Sequence, residues 1–232
     1  MDKQQREIHD WFDKNYKLRG FSYLRPSEAY HIYHHLVQPK KDSKWLDVAC
    51  GPGLLLGVVA EKGIKTYGID ISETAIEMAR SALPNADLQV ANAEDLPFAD
   101  NTFDFISCLG SLERMLDLDK VLKEQLRVAN HNAKFVYLVR NSETSSWKYL
   151  KKGLGLQNRR GHQDAANLES WTKIFANAGF KIENVYPDQW PRQRWQYWMG
   201  KRGWKAVFNS VKSSNHRLQK ANEFIFILSK AL

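Results

Sequence analysis

An α/β fold, with a parallel sheet covered by helices on both faces, follows from three features of the sequence. Short apolar runs alternate with helical stretches from Lys44 onward. A glycine turn, Gly51-Pro52-Gly53, joins the first run to a helix. Asp70 closes the second run about twenty residues later. The 232 residues are 43% hydrophobic and 26% charged, which supplies a buried core and argues against disorder.

The elements follow in order. Residues 2–16 read as a helix with Ile8, Trp11 and Phe12 on one side, and Ser27 is placed to cap a second helix ending near Val37. After the polar linker Pro39 to Asp42, 45–49 is a strand, 54–62 a helix and 66–70 a second strand. Ser72 caps a helix to Leu83, and 88–91 and 103–108 are the third and fourth strands. Asp117 caps an amphipathic helix with Leu118, Val121, Leu122 and Leu126 on one face. The fifth strand is 134–139, the next helix 167–178 ends at Gly179, and 180–186 and 223–229 are the last strands. Two stretches, 141–166 and 187–220, break the alternation and read as inserts, functional or partly helical.

Charge is concentrated in the same region. The chain carries a net charge of +8, and residues 141–220 hold 15 basic against 5 acidic residues and six of the eight tryptophans. From Trp190 to Lys205 aromatic and basic residues interleave. Such a segment suits a membrane surface, a nucleic acid or a cap over a small substrate, and equally a helical insert packed on the domain. No apolar run reaches the length of a membrane span, the first ten residues are polar, and the two cysteines form no disulfide or zinc pattern. A cytoplasmic location is expected. His31, His34 and His35 share a helix face, but no carboxylate or cysteine is spaced to complete a metal site, so no metal is expected.

In folds of this kind ligands sit beyond the carboxyl ends of the strands. Gly51 and Gly53 let backbone approach a ligand, Asp70 is placed to accept from ribose hydroxyls, and Asn92 to Phe98 end the third strand where an adenine edge would lie. Together they suggest an adenosine-containing cofactor. The dinucleotide fingerprint fails because Leu56 stands where its third glycine belongs, and no Walker lysine follows the turn.

These segments resemble the class I S-adenosylmethionine-dependent methyltransferases, in particular the subgroup with the ubiquinone/menaquinone-type enzymes. Leu46 to Gly53, Gly68 to Ser72, Asn92 to Phe98, Asp100 to Asp104, Gly110 to Glu113 and Leu168 to Phe180 match the family's motifs, over about residues 44–186. The resemblance implies a Rossmann-like sheet of seven strands, the last antiparallel, with the tryptophan-rich basic insert before it. It implies one domain over 1–232: a helical cap over 1–43, a cofactor-binding core over 44–140, and inserts on the substrate side.

S-adenosyl-L-methionine is the implied cofactor. Gly51 and Gly53 would lie along its methionine end, with Asp47 and Ala49 shaping the loop. Asp70 would hold the ribose and Ile71 the adenine face. Asn92, Ala93 and Glu94 would border the adenine edge, and Leu109 the methyl group. Ala49 stands at a family glycine, Asn92 at a frequent aspartate, and Arg114 where relatives often carry histidine. No catalytic base is assigned; Glu113, His162 and Asp164 are the candidates. Trp11, Tyr16 and Tyr23 are placed to close over the cofactor or to pack as core. The expected acceptor is a small molecule or a lipid- or sugar-linked intermediate. RNA or DNA methylation through 187–220 is the alternative. It lacks support from the usual motifs, because Ser107-Cys108-Leu109-Gly110 stands at the amino-methylating signature.

Overall fold

The computed structural model describes residues 3–20, 24–144, 165–188, 218 and 221–231. Helix α1 (Lys3–Arg19) is followed by a 3-10 turn (Ser27–Tyr30) and α2 (His31–Val37). Then come β1 (Lys44–Val48), α3 (Leu54–Ala60), β2 (Lys65–Asp70), α4 (Glu73–Ala82), β3 (Asp87–Val90) and β4 (Phe103–Leu109). After a short 3-10 turn (Leu112–Arg114) follow α5 (Leu118–Val128), β5 (Ala129–Arg140), α6 (Leu168–Asn177), β6 (Phe180–Asp188) and β7 (Glu223–Lys230).

Among the described residues the strands form one seven-stranded sheet in the order β3-β2-β1-β4-β5-β7-β6. Only β7 runs antiparallel to its neighbours, β5 and β6. The antiparallel last strand expected from the motifs is therefore present.

Neighbouring residues along each strand point to opposite faces, and both faces are apolar, as a sheet covered on both sides requires. Leu46, Tyr137 and Phe226 enter one core, with Trp171 and Phe175 of α6 and Leu122 of α5. Trp45, Val136 and Ile227, one position away, enter the other, with Tyr33 of α2, Leu56 of α3 and Ile76 of α4. Some buried polar atoms in the centre are paired, while the Tyr137 hydroxyl and the Gln125 amide find no hydrogen-bond partner among the described residues. The Trp45 indole donates to Ser107 Oγ at 2.8 Å, and Ser107 donates to Asp47 Oδ1 at 2.6 Å.

The expected caps at Ser72 and Asp117 form, and Asn167 caps α6 in the same way. Ser72, Asp117 and Asn167 accept from the backbone N–H three residues on, at 3.2, 2.9 and 2.8 Å. Ser27 does not cap α2. It lies inside the 3-10 turn, whose extended N-cap position is Pro26 (φ −64°, ψ 152°), a residue with no side-chain acceptor. Strand β5 begins at Ala129, before the polar Asn130-His131-Asn132, because Ala129 pairs with Phe103 across a bulge. Residues 145–164 and nearly all of 189–220, with the inserts and the tryptophan-rich basic run, lie outside the described residues.

Candidate active site

The site is built at the carboxyl edge of the sheet. Cys50 keeps pairing with β2, its N–H donating to the Ile69 carbonyl at 2.8 Å, before the chain turns. Ala49, Gly51 and Gly53 all adopt left-handed backbone, with φ of 60°, 53° and 78°. For Ala49 this conformation is strained, so the methyl group at the family's glycine position has a conformational cost. Asp70 locks the turn: its Oδ2 accepts from Gly51 N–H at 2.8 Å and its Oδ1 from Ser72 N–H at 2.9 Å. Asp47 lies behind it. Burial, helped by the neighbouring Asp70 charge and opposed by the Ser107 hydrogen bond, pushes the Asp47 carboxyl up to about 7.

Two hollows open above this edge. The first is walled by Asp70, Ile71, Asn92, Ala93 and Glu94. The second is walled by Asp47, Gly51, Leu109, Arg25, Arg140 and Glu223. They share Phe12, Tyr16, Ala49, Ser111 and Arg114, so they meet at the glycine turn. A β-carbon at Gly110 would meet nothing within 4 Å, so backbone there borders open space.

Helix α1 roofs both hollows and is tied down at two points. Gln5 donates to Glu94 Oε2 at 3.1 Å. Asp13 Oδ1 accepts from Ser72 Oγ at 2.9 Å and Thr74 N–H at 3.0 Å, at the start of α4. Burial alone would raise the Asp13 carboxyl, but hydrogen bonds from Lys17, Thr74 and Ser72 outweigh it and hold the group well below the usual carboxylate range. The Arg114 guanidinium lies 5.2 Å from the Phe12 ring centre and 6.0 Å from that of Trp11, joining α1 to the turn after β4.

A buried charged row lines the far side of the second hollow. Strand register sets Arg140 of β5 and Asp188 of β6 on either side of Glu223 in β7. Arg25 donates to Glu223 and also pairs with Asp188 at 2.5 Å. Arg140 Nε lies 3.2 Å from Glu113 and 3.7 Å from Glu223. Burial, with the Asp188 charge adding and Arg25 and Arg140 opposing, pushes Glu223 up to about 7.

Nine of the ten residues expected at a cofactor thus line one hollow or the other. Gly53 lines neither; a β-carbon there would press 2.9 Å from Leu83 and 3.3 Å from Ala79, so its role is to bring the turn against α4. Glu113 is buried beside Arg140 and lines neither hollow, while His162, Asp164 and Tyr23 lie outside the described residues. Cys50 and Cys108 are free and buried, and burial pushes both thiols up. Arg25 and Glu223, 198 residues apart, were not visible to local motif reading. Arg140, a charge ending an apolar run, was the one signal on offer. Among the described residues no helix is long and apolar enough to cross a membrane.

Residues 46–137 match the family described as "Methyltransferase domain". A demethylmenaquinone methyltransferase of Bacillus mycoides (strain KBAB4) is 31% identical over 155 residues, covering 61% of this chain. The match spans 65% of that relative, a little under two thirds of its length. Geranyl diphosphate C-methyltransferase from Streptomyces coelicolor A3(2), solved with Mg2+, geranyl diphosphate and S-adenosyl-L-homocysteine, superposes with a TM-score of 0.72 at 13% identity, covering 99% of each chain. The [4+2]-cyclase SpnF superposes with a TM-score of 0.71 at 16% identity, covering 100% of this chain and 98% of its own. The fold is thus one that a methyltransferase and a cyclase share.

Proposed function

We propose that the chain transfers a methyl group from S-adenosylmethionine to a small, largely apolar acceptor, on a core, residues 46–137, that matches a methyltransferase domain. The observation that carries this reading is the junction of the two hollows at Ala49, Tyr16 and Ser111. One side offers nucleoside recognition groups and the other a chamber with both apolar and polar walls.

The first hollow fits the adenosine part. Each Asp70 oxygen accepts one backbone hydrogen bond, and a carboxylate oxygen has room for a second, so ribose hydroxyls can be held without breaking the turn. Ile71 supplies an apolar face, and Asn92 with the Ala93 backbone supplies donors and acceptors for the adenine edge. Glu94 closes the wall under Gln5. Gly51 brings its backbone to the methionine end, with Asp47 behind it and Leu109 on the methyl side.

A bound sulfonium supplies a methyl group already activated for displacement. What remains for the protein is to align the acceptor and exclude water. Helix α1 does the excluding, through Phe12 and Tyr16, and the second hollow does the aligning. The names of the demethylmenaquinone relative and of the geranyl diphosphate enzyme support an acceptor with a large apolar part.

Incubation with methyl-labelled S-adenosylmethionine and cell extract tests the reading. Label is expected in low-mass compounds that partition into organic solvent. Label in RNA or DNA, or in nothing, overturns it.

A further inference from the structure

Glu223 is a polar group of the second hollow that the cofactor reading does not use. Glu223 opens β7, and because that strand is antiparallel its first residue sits at the same edge as Leu109 and Arg140. One carboxylate oxygen, Oε2, is committed to Arg25. The other, Oε1, lies 3.7 Å from Arg140 Nε, too far for a hydrogen bond, and accepts none among the described residues. Arg140 Nε sits closer to Glu113, at 3.2 Å.

The groups facing Glu223 come from every element around it. They are Arg25, Tyr33 on α2, Asp188 on β6, Arg140 on β5 and Glu113 on the turn after β4. Three carboxylates face two guanidiniums, with Arg114 on another wall, so the charges nearly cancel. The rest of the chamber mixes apolar walls, Phe12, Tyr30, Leu55, Leu109 and Leu138, with the polar Tyr16, Tyr33, Asp47 and Ser111. Such a space rejects an ion and favours a neutral body with one donor, which would complete the coordination of Oε1.

We propose that the second hollow binds a neutral, mainly apolar acceptor and recognises it by one hydroxyl or N–H group donating to Glu223 Oε1. The inference rests on the reading of this hollow as the acceptor side and adds the recognition residue and the substrate class.

The test uses 2-naphthol and 2-methoxynaphthalene, which differ in the donor. Each is titrated calorimetrically into protein saturated with S-adenosylhomocysteine. At about pH 8 the wild type is expected to bind 2-naphthol at least about tenfold tighter, the effect of one hydrogen bond to a charged group. In Glu223→Gln, Arg25 keeps the amide oxygen and turns the NH2 to the hollow, so an acceptor becomes a donor and the preference vanishes. At about pH 5.5 the wild-type preference shrinks, because Glu223 is then protonated.

Equal binding of the two probes by the wild type, binding of neither, or an unchanged preference in Glu223→Gln overturns the proposal. The wild-type comparison stands even if the variant does not fold. If S-adenosylhomocysteine fails to bind, the cofactor reading falls, and the probe comparison, run on the protein alone, still decides the role of Glu223.

Discussion

A β-carbon at Gly51 would lie 2.7 Å from the Tyr16 hydroxyl oxygen, so the helix that roofs the site rests directly on the turn that floors it. Gly51 is therefore fixed twice, by a φ of 53° and by its neighbour.

Gly51→Ala is expected to lower unfolding stability by about 2–4 kcal/mol, about 1–2 from the left-handed backbone and the rest from overlap. Adding Tyr16→Phe removes the nearest atom, leaving ring carbon Cζ at 3.5 Å, and should recover part of the loss. Denaturant midpoints of the two single variants and the double variant check this. Strict additivity would mean that the two residues do not touch.

Ala49 presents the opposite case. At φ 60° glycine pays no left-handed penalty, so Ala49→Gly should gain about 1 kcal/mol despite the greater freedom of glycine when unfolded. A lower denaturation midpoint in Ala49→Gly would contradict the strained turn.

The buried carboxyls set a pH dependence. Asp47 is raised from 3.8 to about 7, so between those values the folded state keeps a proton that the unfolded chain has released. Stability should fall as pH rises through that window and level off above it. Glu223, raised from 4.5 to about 7, adds in the same direction. Unfolding midpoints at about pH 5 and pH 8 measure the slope, which Asp47→Asn should flatten. A rising slope would refute the burial of these groups in their charged form.

Asp13 works in the other sense. Its carboxyl is lowered, so the docking it supports is present above its ordinary value of 3.8 and is lost as acid protonates it below that. Asp13→Ala removes the acceptor for Thr74 N–H and Ser72 Oγ and should cost about 1–2 kcal/mol. Amide exchange over residues 3–19 should quicken in that variant while the sheet stays protected. Unchanged exchange would place the anchorage of α1 elsewhere.

Much of the fold was legible because its signals are local. Ser72 and Asp117 cap the helices that follow them, and Leu46 to Gly53 reads as strand and turn from a few neighbouring residues. The start of β5 was hidden because Asn130 to Asn132 are polar, and a bulge, not a hydrophobic pattern, carries the strand past them. Ser27 misled because a capping residue must stand outside the turn, and Pro26 holds that place. The Arg140–Glu223–Asp188 row exists only once three strands come into register, so no spacing in the chain announces it.

The cofactor reading turns on Asp70, whose two oxygens hold the Gly51 and Ser72 amides at the edge of the first hollow. Calorimetric titration with S-adenosylhomocysteine, wild type beside Asp70→Ala, tests it most directly. One molecule should bind per wild-type chain, and the variant should bind about a hundredfold more weakly or worse, as expected for two lost hydrogen bonds to a charged group. No binding to the wild type, or equal affinity in the two proteins, would contradict the account.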